Sequence, residues 1–333
     1  MRPMDALVDR IRKGDIGAAA RLISMVEDRC PEGREAMKAI FKMAGRASVI
    51  GITGPTGAGK STLTDRLVRL YRADGKTVGI LAIDPSSPFS GGALLGDRVR
   101  MNRHGMDEGV FIRSMASRGT LGGLARATDD AVHIMDAVGR DVILVETLGV
   151  GQDEIAVAAL AEFTVVILQP STGDEIQMMK AGMLEIGDLF VVNKADFPGA
   201  GETAREVREM LHRAAPPAPD PAAEDGHREV FFTIAKTDQG VRPLYDGLQA
   251  LRKSLESRPE VSAYRRRVRL RANLRAVFLE EIGIRVWRRI ERDGRLAGWI
   301  GELVNRSTDP YSLAEELLEP LSAHLAAEEE VSG

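Results

Sequence analysis

The feature that most constrains this 333-residue chain is the run Gly54-Pro55-Thr56-Gly57-Ala58-Gly59-Lys60-Ser61-Thr62, which follows the apolar residues 49–52. Glycines at this spacing before a Lys-Ser pair predict a loop whose backbone N–H groups turn toward one phosphate chain. Lys60 would reach the terminal phosphates, and the Ser61 hydroxyl would ligate Mg²⁺. Residues 61–71 are predicted as a helix whose positive N-terminal end faces the same phosphates. We therefore expect a nucleotide-binding P-loop after the first strand of an α/β domain.

Apolar segments alternate with helical segments from residue 49 to about residue 255 and predict a mostly parallel, doubly wound sheet. Several are apolar throughout, as expected of strands that are covered on both faces. The glycine-rich residues 115–123 are predicted as a connection between a strand and a helix. In such a sheet, ligands bind beyond the carboxyl ends of the strands. The predicted strands are 49–53, 78–83, 110–113, 142–146, 164–168, 189–192 and 230–234.

Helical segments are predicted on both sides of this α/β region. Residues 1–46 are interpreted as an N-terminal helical extension, either packed on the nucleotide domain or used for a partner. Residues 47–257 form the predicted P-loop domain, with an exposed proline-rich loop in 214–227. Residues 258–333 are predicted as a C-terminal helical region, because apolar residues recur every four positions from Leu270 to Ile290 on an arginine-rich background.

The composition limits the class of protein. Apolar residues make up 44% and charged residues 28% of the chain, as in globular proteins. No apolar run approaches the roughly 18 residues of a membrane helix, and the first five residues do not open a signal peptide, so we expect a cytoplasmic protein without membrane attachment. A net charge of −4 gives no general attraction to nucleic acid. With one cysteine and five scattered histidines, the chain has no Cys/His-rich metal-binding tract.

Asn193-Lys194-Ala195-Asp196 follows the apolar run 189–192 and has the NKxD pattern that reads guanine. The Asp196 carboxylate would accept hydrogen bonds from the ring N–H and the exocyclic amine of guanine. Adenine lacks this pair of donors and would leave the acid unpaired. Losing a charged hydrogen-bond partner costs about 1.5–3 kcal/mol, roughly a ten- to hundred-fold preference. GTP and GDP are therefore favoured over adenine nucleotides.

Acidic residues near predicted strand ends would complete a Mg²⁺ site with Ser61. Glu146 ends a buried strand and opens an ExxG pattern, where GTPases usually have DxxG, and the Gly149 N–H would approach the γ-phosphate. Asp84 and Asp97 flank a segment interpreted as a mobile loop that senses the γ-phosphate. Alternatively, Asp84 only caps a turn. The candidate metal ligands are Ser61, Asp84, Asp97 and Glu146.

Taken in order, these motifs resemble the MeaB/ArgK family of P-loop GTPases, whose human relative is the MMAA protein. The motifs are GPTGAGKST, DPSS, GDRVRM, RGTLGG, ETLGVGQ, GDEIQMMKAG and NKAD. The resemblance spans roughly residues 4–260. It implies a GTP-hydrolysing metallochaperone that gates adenosylcobalamin loading and protects an acyl-CoA mutase of the methylmalonyl-CoA mutase type. It also implies a homodimer in which residues 258–333 form the dimerisation arm.

The resemblance carries roles onto individual residues. Lys60, Asp84 and Glu146 would serve GTP hydrolysis, and residues 170–180 match a third switch that would relay the nucleotide state to the mutase. Contacts to GTP or GDP would be made by Gly54, Pro55, Thr56, Gly57, Ala58, Gly59, Lys60, Ser61, Thr62, Gly149, Asn193, Lys194, Asp196, Ala235 and Lys236.

Two departures from the usual GTPase pattern affect these expectations. Ile234-Ala235-Lys236 stands where GTPases often have Ser-Ala-Lys, so a serine side chain beside the base is absent and the Ala235 N–H remains. Gln152 lies three residues beyond Gly149, so the residue that orients the attacking water is unassigned. We expect intrinsic hydrolysis to be slow and to rise with a partner, because no internal arginine finger is assigned.

Two alternatives stay open. A small-molecule kinase or ATPase linked to amino-acid transport would need an acceptor pocket, which no motif indicates, and the NKAD motif argues against ATP. A nucleic-acid-binding regulator would use the arginine-rich residues 265–292. Such a stripe is typical of a solvated or dimer-facing helix, and no aromatic stacking platform accompanies it. No motif identifies which acyl-CoA mutase would be the partner.

Overall fold

The computed structural model describes residues 3–85, 104, 106–117, 123–147, 153–170, 182–213 and 228–317. The chain divides into two compact units, Met1–Leu274 and Arg275–Gly333. The first unit is an α/β domain built on one sheet. The described part of the second unit is helical.

The first unit contains a single parallel sheet among its described residues. Its strands are β1 (Ser48–Thr53), β2 (Val78–Pro85), β3 (Val110–Ser117), β4 (Val142–Thr147), β5 (Phe163–Leu168), β6 (Leu189–Asn193) and β7 (Val230–Thr233). They lie in the order β3-β2-β4-β1-β5-β6-β7, and every pair is parallel. All residues of β4 and β5 are buried, because helices cover both faces of the sheet. The predicted doubly wound α/β fold is confirmed.

Helices precede, connect and follow these strands. They are α1 (Pro3–Arg12), α2 (Ile16–Glu27), α3 (Pro31–Met43), α4 (Lys60–Ala73), α5 (Gly123–Ala137), α6 (Asp153–Leu160), α7 (Gly182–Ile186), α8 (Ala200–Arg213), α9 (Val241–Glu256), α10 (Pro259–Arg292) and α11 (Arg295–Val304). A short 3₁₀ turn, Ala235–Thr237, follows β7, and residues 310–317 are helical. The long helix predicted after residue 257 is therefore present as α10.

The two faces of the sheet are covered by different helices. On one face, α4 and α9 contribute Leu67 and Leu248 to a core shared with the strands. On the other face, α1, α2 and α3 pack with α5 against β2, β3 and β4, and Leu22 and Ile40 are completely buried there. The N-terminal helices thus share a hydrophobic core with the sheet.

Strand β3 extends beyond its predicted end. Residues 115–117 were predicted to open a glycine-rich connection, but they continue β3, and Met115 is completely buried. The reason is the pairing with β2, which runs in register from Val78 opposite Val110 to Pro85 opposite Ser117. The tertiary pairing, which the local composition does not encode, keeps these residues in the strand.

The second unit exposes several large apolar side chains in its described part. Phe278 and Trp287 on α10 and Ile300 on α11 are each more than half exposed. Ile290 and Leu313 are buried. Among the described helices of the whole chain, none has the length and apolar character needed to cross a lipid bilayer.

Candidate nucleotide-binding site

The P-loop joins β1 to α4 and starts the helix at Lys60. Gly54, Gly57 and Gly59 have φ angles of +140°, +82° and +90°, which disfavour residues with a side chain. A Cβ atom on Gly54 would also lie 2.0 Å from the carbonyl oxygen of Ile167 in β5. The loop therefore passes so close to the neighbouring strand that Gly54 has no room for a side chain.

Lys60 places its ammonium inside this loop. The residue is buried, and Nζ donates to the carbonyl oxygens of Gly54 at 2.8 Å and Pro55 at 2.9 Å. The N-terminal end of α4 adds partial positive charge at the same place, since the first N–H groups of a helix lack helical acceptors. The loop after β1 thus concentrates positive potential where the sequence predicted the phosphates.

Glu146 lies beside the P-loop at the carboxyl end of β4, because it pairs with Ile52 of β1. The Glu146 residue is only 4% exposed. One carboxylate oxygen accepts a hydrogen bond from Ser61 Oγ at 2.6 Å, and the other lies 3.1 Å from Thr64 Oγ1. The structure therefore brings two predicted metal ligands, Ser61 and Glu146, into contact. A hydroxyl and a carboxylate are hard oxygen donors, so this pair fits Mg²⁺.

Thr64 was not singled out from the sequence. It follows Ser61 by three residues on α4, so both hydroxyls lie on the same face of the helix. Its hydroxyl lies 2.9 Å from the Lys60 carbonyl oxygen as well as close to Glu146. A second hydroxyl residue three positions after the P-loop serine, on the same helix, is the sequence signal that indicates Thr64.

Other predicted ligands are only partly covered by the structure. Asp84 lies near the carboxyl end of β2, where it pairs with Ala116 of β3. Asp97, Gly149, Gln152 and residues 171–180 lie outside the described residues. Within the described ranges, no three His, Cys, Asp or Glu side chains form a metal cluster. The roles predicted for Asp84, Asp97 and Gly149 therefore stay predictions.

Asn193 at the end of β6 connects three loops of the site. Its Nδ2 donates to the Ala58 carbonyl oxygen of the P-loop at 2.7 Å. Its Oδ1 accepts hydrogen bonds from Thr233 Oγ1 and from the Ala235 N–H, both at 3.0 Å. A Cβ atom on Gly59 would lie 2.3 Å from the same Nδ2. The buried amide thus holds the P-loop against the loop after β7.

The remaining residues of the NKAD segment also lie at the carboxyl ends of the strands. Lys194 has a left-handed backbone, with φ of +56°, and its Nζ donates to Gln169 Oε1 at 2.9 Å. Asp196 and, after β7, Lys236 are exposed. The loops after β1, β6 and β7 and the last residues of β4 therefore present polar groups at the carboxyl ends of the strands, where ligands bind in sheets of this kind.

Comparison with known families identifies this arrangement. Residues 19–291 match the family described as "Methylmalonyl Co-A mutase-associated GTPase MeaB". The chain belongs to the MeaB family. As a MeaB-family P-loop GTPase, the protein binds guanine nucleotide and hydrolyses GTP. The resemblance inferred from the ordered motifs is confirmed.

Relatives of this MeaB-family member cover most of its length. A Pyrococcus abyssi protein named "Putative GTPase" is 44% identical over 319 residues, which are 96% of this chain and 97% of that protein. The mouse "Methylmalonic aciduria type A homolog, mitochondrial" is 32% identical over 284 residues, which are 79% of this chain and 66% of the mouse protein. A crystal structure titled "LAO/AO transport system kinase" has a TM-score of 0.69 and 22% identity, covering 96% of this chain and 97% of that one. At that identity the likeness supports the fold alone.

Proposed function

We propose that this MeaB-family GTPase acts as a chaperone of an adenosylcobalamin-dependent acyl-CoA mutase of the methylmalonyl-CoA mutase type. In this role it gates cofactor loading and protects the mutase from inactivation, in a cytoplasmic setting. The observation that carries the proposal is the family match over residues 19–291, whose description names association with methylmalonyl-CoA mutase. The name of the mouse relative, a methylmalonic aciduria type A homolog, supports the same assignment.

Within the site, we assign the phosphates of GTP to the P-loop and the base to the loops after β6 and β7. Lys60 and the N-terminal end of α4 would bind the phosphates, and Asp196 would read the guanine. Asn193 supports this division, because its amide fixes the distance between the P-loop and the loop after β7. The loops proposed to hold the two ends of the nucleotide are linked to each other by the hydrogen bonds of Asn193.

Phosphoryl transfer to water depends on positioning and charge neutralisation. Ser61 and Glu146 would hold Mg²⁺, with Asp84 and Asp97 as further proposed ligands. Bound there, the ion supplies neutralisation of the charge that develops on the transferred phosphoryl group. Lys60 adds a second positive charge at the mouth of the loop, held by two backbone carbonyl groups.

We further propose that the isolated protein turns over slowly and that the mutase accelerates it. An arginine supplied by a partner raises the rates of comparable reactions by about 10³–10⁵-fold. The proposed organisation is an N-terminal extension 1–46, a GTPase domain 47–257 and a dimerisation arm 258–333.

The test is phosphate release from GTP by the full chain, with and without a methylmalonyl-CoA mutase. We expect slow release that rises about ten-fold or more when the mutase is added. A cobalamin-independent acyl-CoA enzyme serves as the matched control and should change nothing. Fast turnover that ignores the mutase would contradict the proposal. Transfer of the phosphate to arginine instead of water would favour the alternative of a small-molecule kinase.

A further inference from the structure

We propose that Arg66 is a positioning residue for guanine recognition. In this proposal, Arg66 fastens the base loop, defined here as residues 235–238, to the helix that starts at the P-loop. The inference rests on the proposed assignment of Ala235 and Lys236 to the base, and it adds a residue that touches neither the phosphates nor the base.

The contacts of Arg66 all converge on the base loop. Arg66 lies on α4, six residues after Lys60. Its Nε donates to the Ala235 carbonyl oxygen at 2.9 Å, and its Nη2 donates to the Lys236 carbonyl oxygen at 3.1 Å. Its Nη1 donates to Asp238 Oδ2 at 3.1 Å. The Arg66 side chain is 14% exposed, so most of the side chain is shielded from water.

This arrangement suits arginine because its planar guanidinium presents several donors in a fixed fork. Two successive backbone carbonyl groups and one carboxylate are held at the same time, which a single ammonium does less well. The base loop also contains a strained point, since Asp238 has φ of +65°. Non-glycine residues keep such a backbone only where their surroundings hold them. Ile234, which precedes the loop, has no polar side chain to contribute.

Ala235 is held from both sides. Its N–H donates to Asn193 Oδ1, and Asn193 is bonded to the P-loop through the Ala58 carbonyl oxygen. Its carbonyl oxygen accepts from Arg66 on α4. Both supports therefore lead back to the P-loop and its helix. The position of the base loop relative to the phosphates is fixed by these two side chains.

We expect the hydrogen bonds from Arg66 to the two carbonyl groups to hold the base loop more strongly than the ion pair with Asp238 does. The Asp238 side chain is 58% exposed, and ion pairs with an exposed partner contribute little. Hydrogen bonds from a partly buried charged donor to backbone carbonyl groups contribute more, and their loss leaves the carbonyl groups without this partner. Removing the guanidinium should therefore affect base recognition, whereas neutralising Asp238 should not.

The experiment compares full-length wild type with Arg66→Gln, Arg66→Lys and Asp238→Asn. Arg205→Gln is the matched control, because Arg205 forms only long ion pairs with Glu202 and Glu209 on the exposed face of α8. Dissociation constants for GDP, ADP and tripolyphosphate are measured by competition with fluorescent GDP. For Arg66→Gln we expect about ten-fold weaker GDP binding. We expect ADP and tripolyphosphate binding to stay within about two-fold, so the ratio of GDP to ADP affinity falls about ten-fold. Arg66→Lys should lie in between, and the other two variants should keep the wild-type ratio.

Equal loss of affinity for all three ligands would show that Arg66 only supports the fold, and it would overturn the proposal. A wild-type ratio in Arg66→Gln would overturn it as well, while leaving the base-site assignment intact. If the wild type itself did not distinguish GDP from ADP, the base-site assignment would fail and the Arg66 proposal would fall with it.

Discussion

At the residue scale, the proposed Mg²⁺ site is built around a carboxylate that is buried beside the P-loop. Burying a charge is costly unless hydrogen bonds or a cation compensate it. Glu146 accepts a hydrogen bond from Ser61 and lies near Thr64, all at the mouth of the phosphate loop. In the proposed metal site these oxygen atoms already lie close together, so little reorganisation would be needed for a cation to bind.

Glu146→Gln should therefore weaken the binding of Mg²⁺. The substitution keeps the size and one hydrogen-bond acceptor but removes the charge. We expect the Mg²⁺ concentration for half-maximal GTP hydrolysis to rise about 10- to 100-fold. The measurement is a Mg²⁺ titration of phosphate release.

A matched control for that titration exists at the amino ends of the strands. Glu162 accepts a hydrogen bond from Ser48 Oγ at 2.8 Å, which is another serine–glutamate pair, but before β5. Glu162→Gln should leave the Mg²⁺ titration unchanged. If Glu146→Gln titrated like Glu162→Gln, Glu146 would not be part of the metal site.

The sequence predicted those site residues that belong to compact motifs. The P-loop motif that contains Ser61 and the buried strand before Glu146 were sufficient to predict that these two residues lie together. The contact of Asn193 with Ala58 and the contacts of Arg66 with the base loop were not predictable, because these partners lie more than a hundred residues away in the chain. Asn193 was expected only at the base, and the structure adds its role between the P-loop and the loop after β7.

At the scale of whole elements, apolar runs predicted every strand of the sheet, but not the order of the strands. The segments 142–146 and 164–168 flank β1 in the structure as β4 and β5. The hydrophobic pattern identifies one strand at a time. Which strands pair with each other depends on the helical connections that cross over the sheet. The same limit explains β3, whose last residues are held in the strand by pairing with β2.

The junction of α5 and α10 in the first unit contains a buried acid that no motif indicated. Asp129 on α5 accepts a hydrogen bond from Asn273 Nδ2 on α10, and His133 Nε2 lies 3.5 Å from it. Burial raises the pKa of Asp129 from 3.8 to about 7. Burial also lowers the pKa of His133, against the opposing effect of Asp130 and Asp136.

This shift makes the stability of the first unit depend on pH. The folded state binds the Asp129 proton more tightly than the unfolded chain does, so this contribution to stability is fully present below about pH 4 and is lost as the pH rises through about 7. Asp129→Asn cannot lose a proton. We expect this variant to gain stability relative to wild type from pH 5 to pH 8.5, by up to about 3 kcal/mol.

The free energy of urea unfolding, measured for both proteins at pH 5 and pH 8.5, checks this expectation. His133 is present in both proteins, so its own titration largely cancels in the comparison. Asp246→Asn is the control, because Asp246 is an exposed acid on α9, and it should keep the wild-type pH dependence. A difference between Asp129→Asn and wild type that does not change with pH would show that Asp129 is ionised at neutral pH.

At the scale of the whole molecule, the described part of the second unit is notable for its exposed apolar side chains. Six of them are more than half exposed: Phe278, Leu279, Trp287, Ile300, Val304 and Tyr311. Protein interfaces are enriched in aromatic residues and arginine, and this region exposes both, including Arg285 and Arg289. This supports the proposal that the C-terminal region forms a homodimer. The nucleotide-binding residues that the structure describes all belong to the first unit.

The double substitution Phe278→Glu with Trp287→Glu should therefore dissociate the proposed dimer into monomers without changing nucleotide affinity. Each large apolar side chain contributes about 1.5–3 kcal/mol when it is buried, so two charged replacements should weaken dimerisation about a hundred-fold or more. Light scattering across a concentration series measures the dissociation constant, and GDP affinity should stay within about two-fold. Met106→Glu is the control, because Met106 is 95% exposed in the first unit. If the double variant kept the wild-type mass at every concentration, the dimer would have to form through another surface, because two buried carboxylates would not be tolerated at its interface.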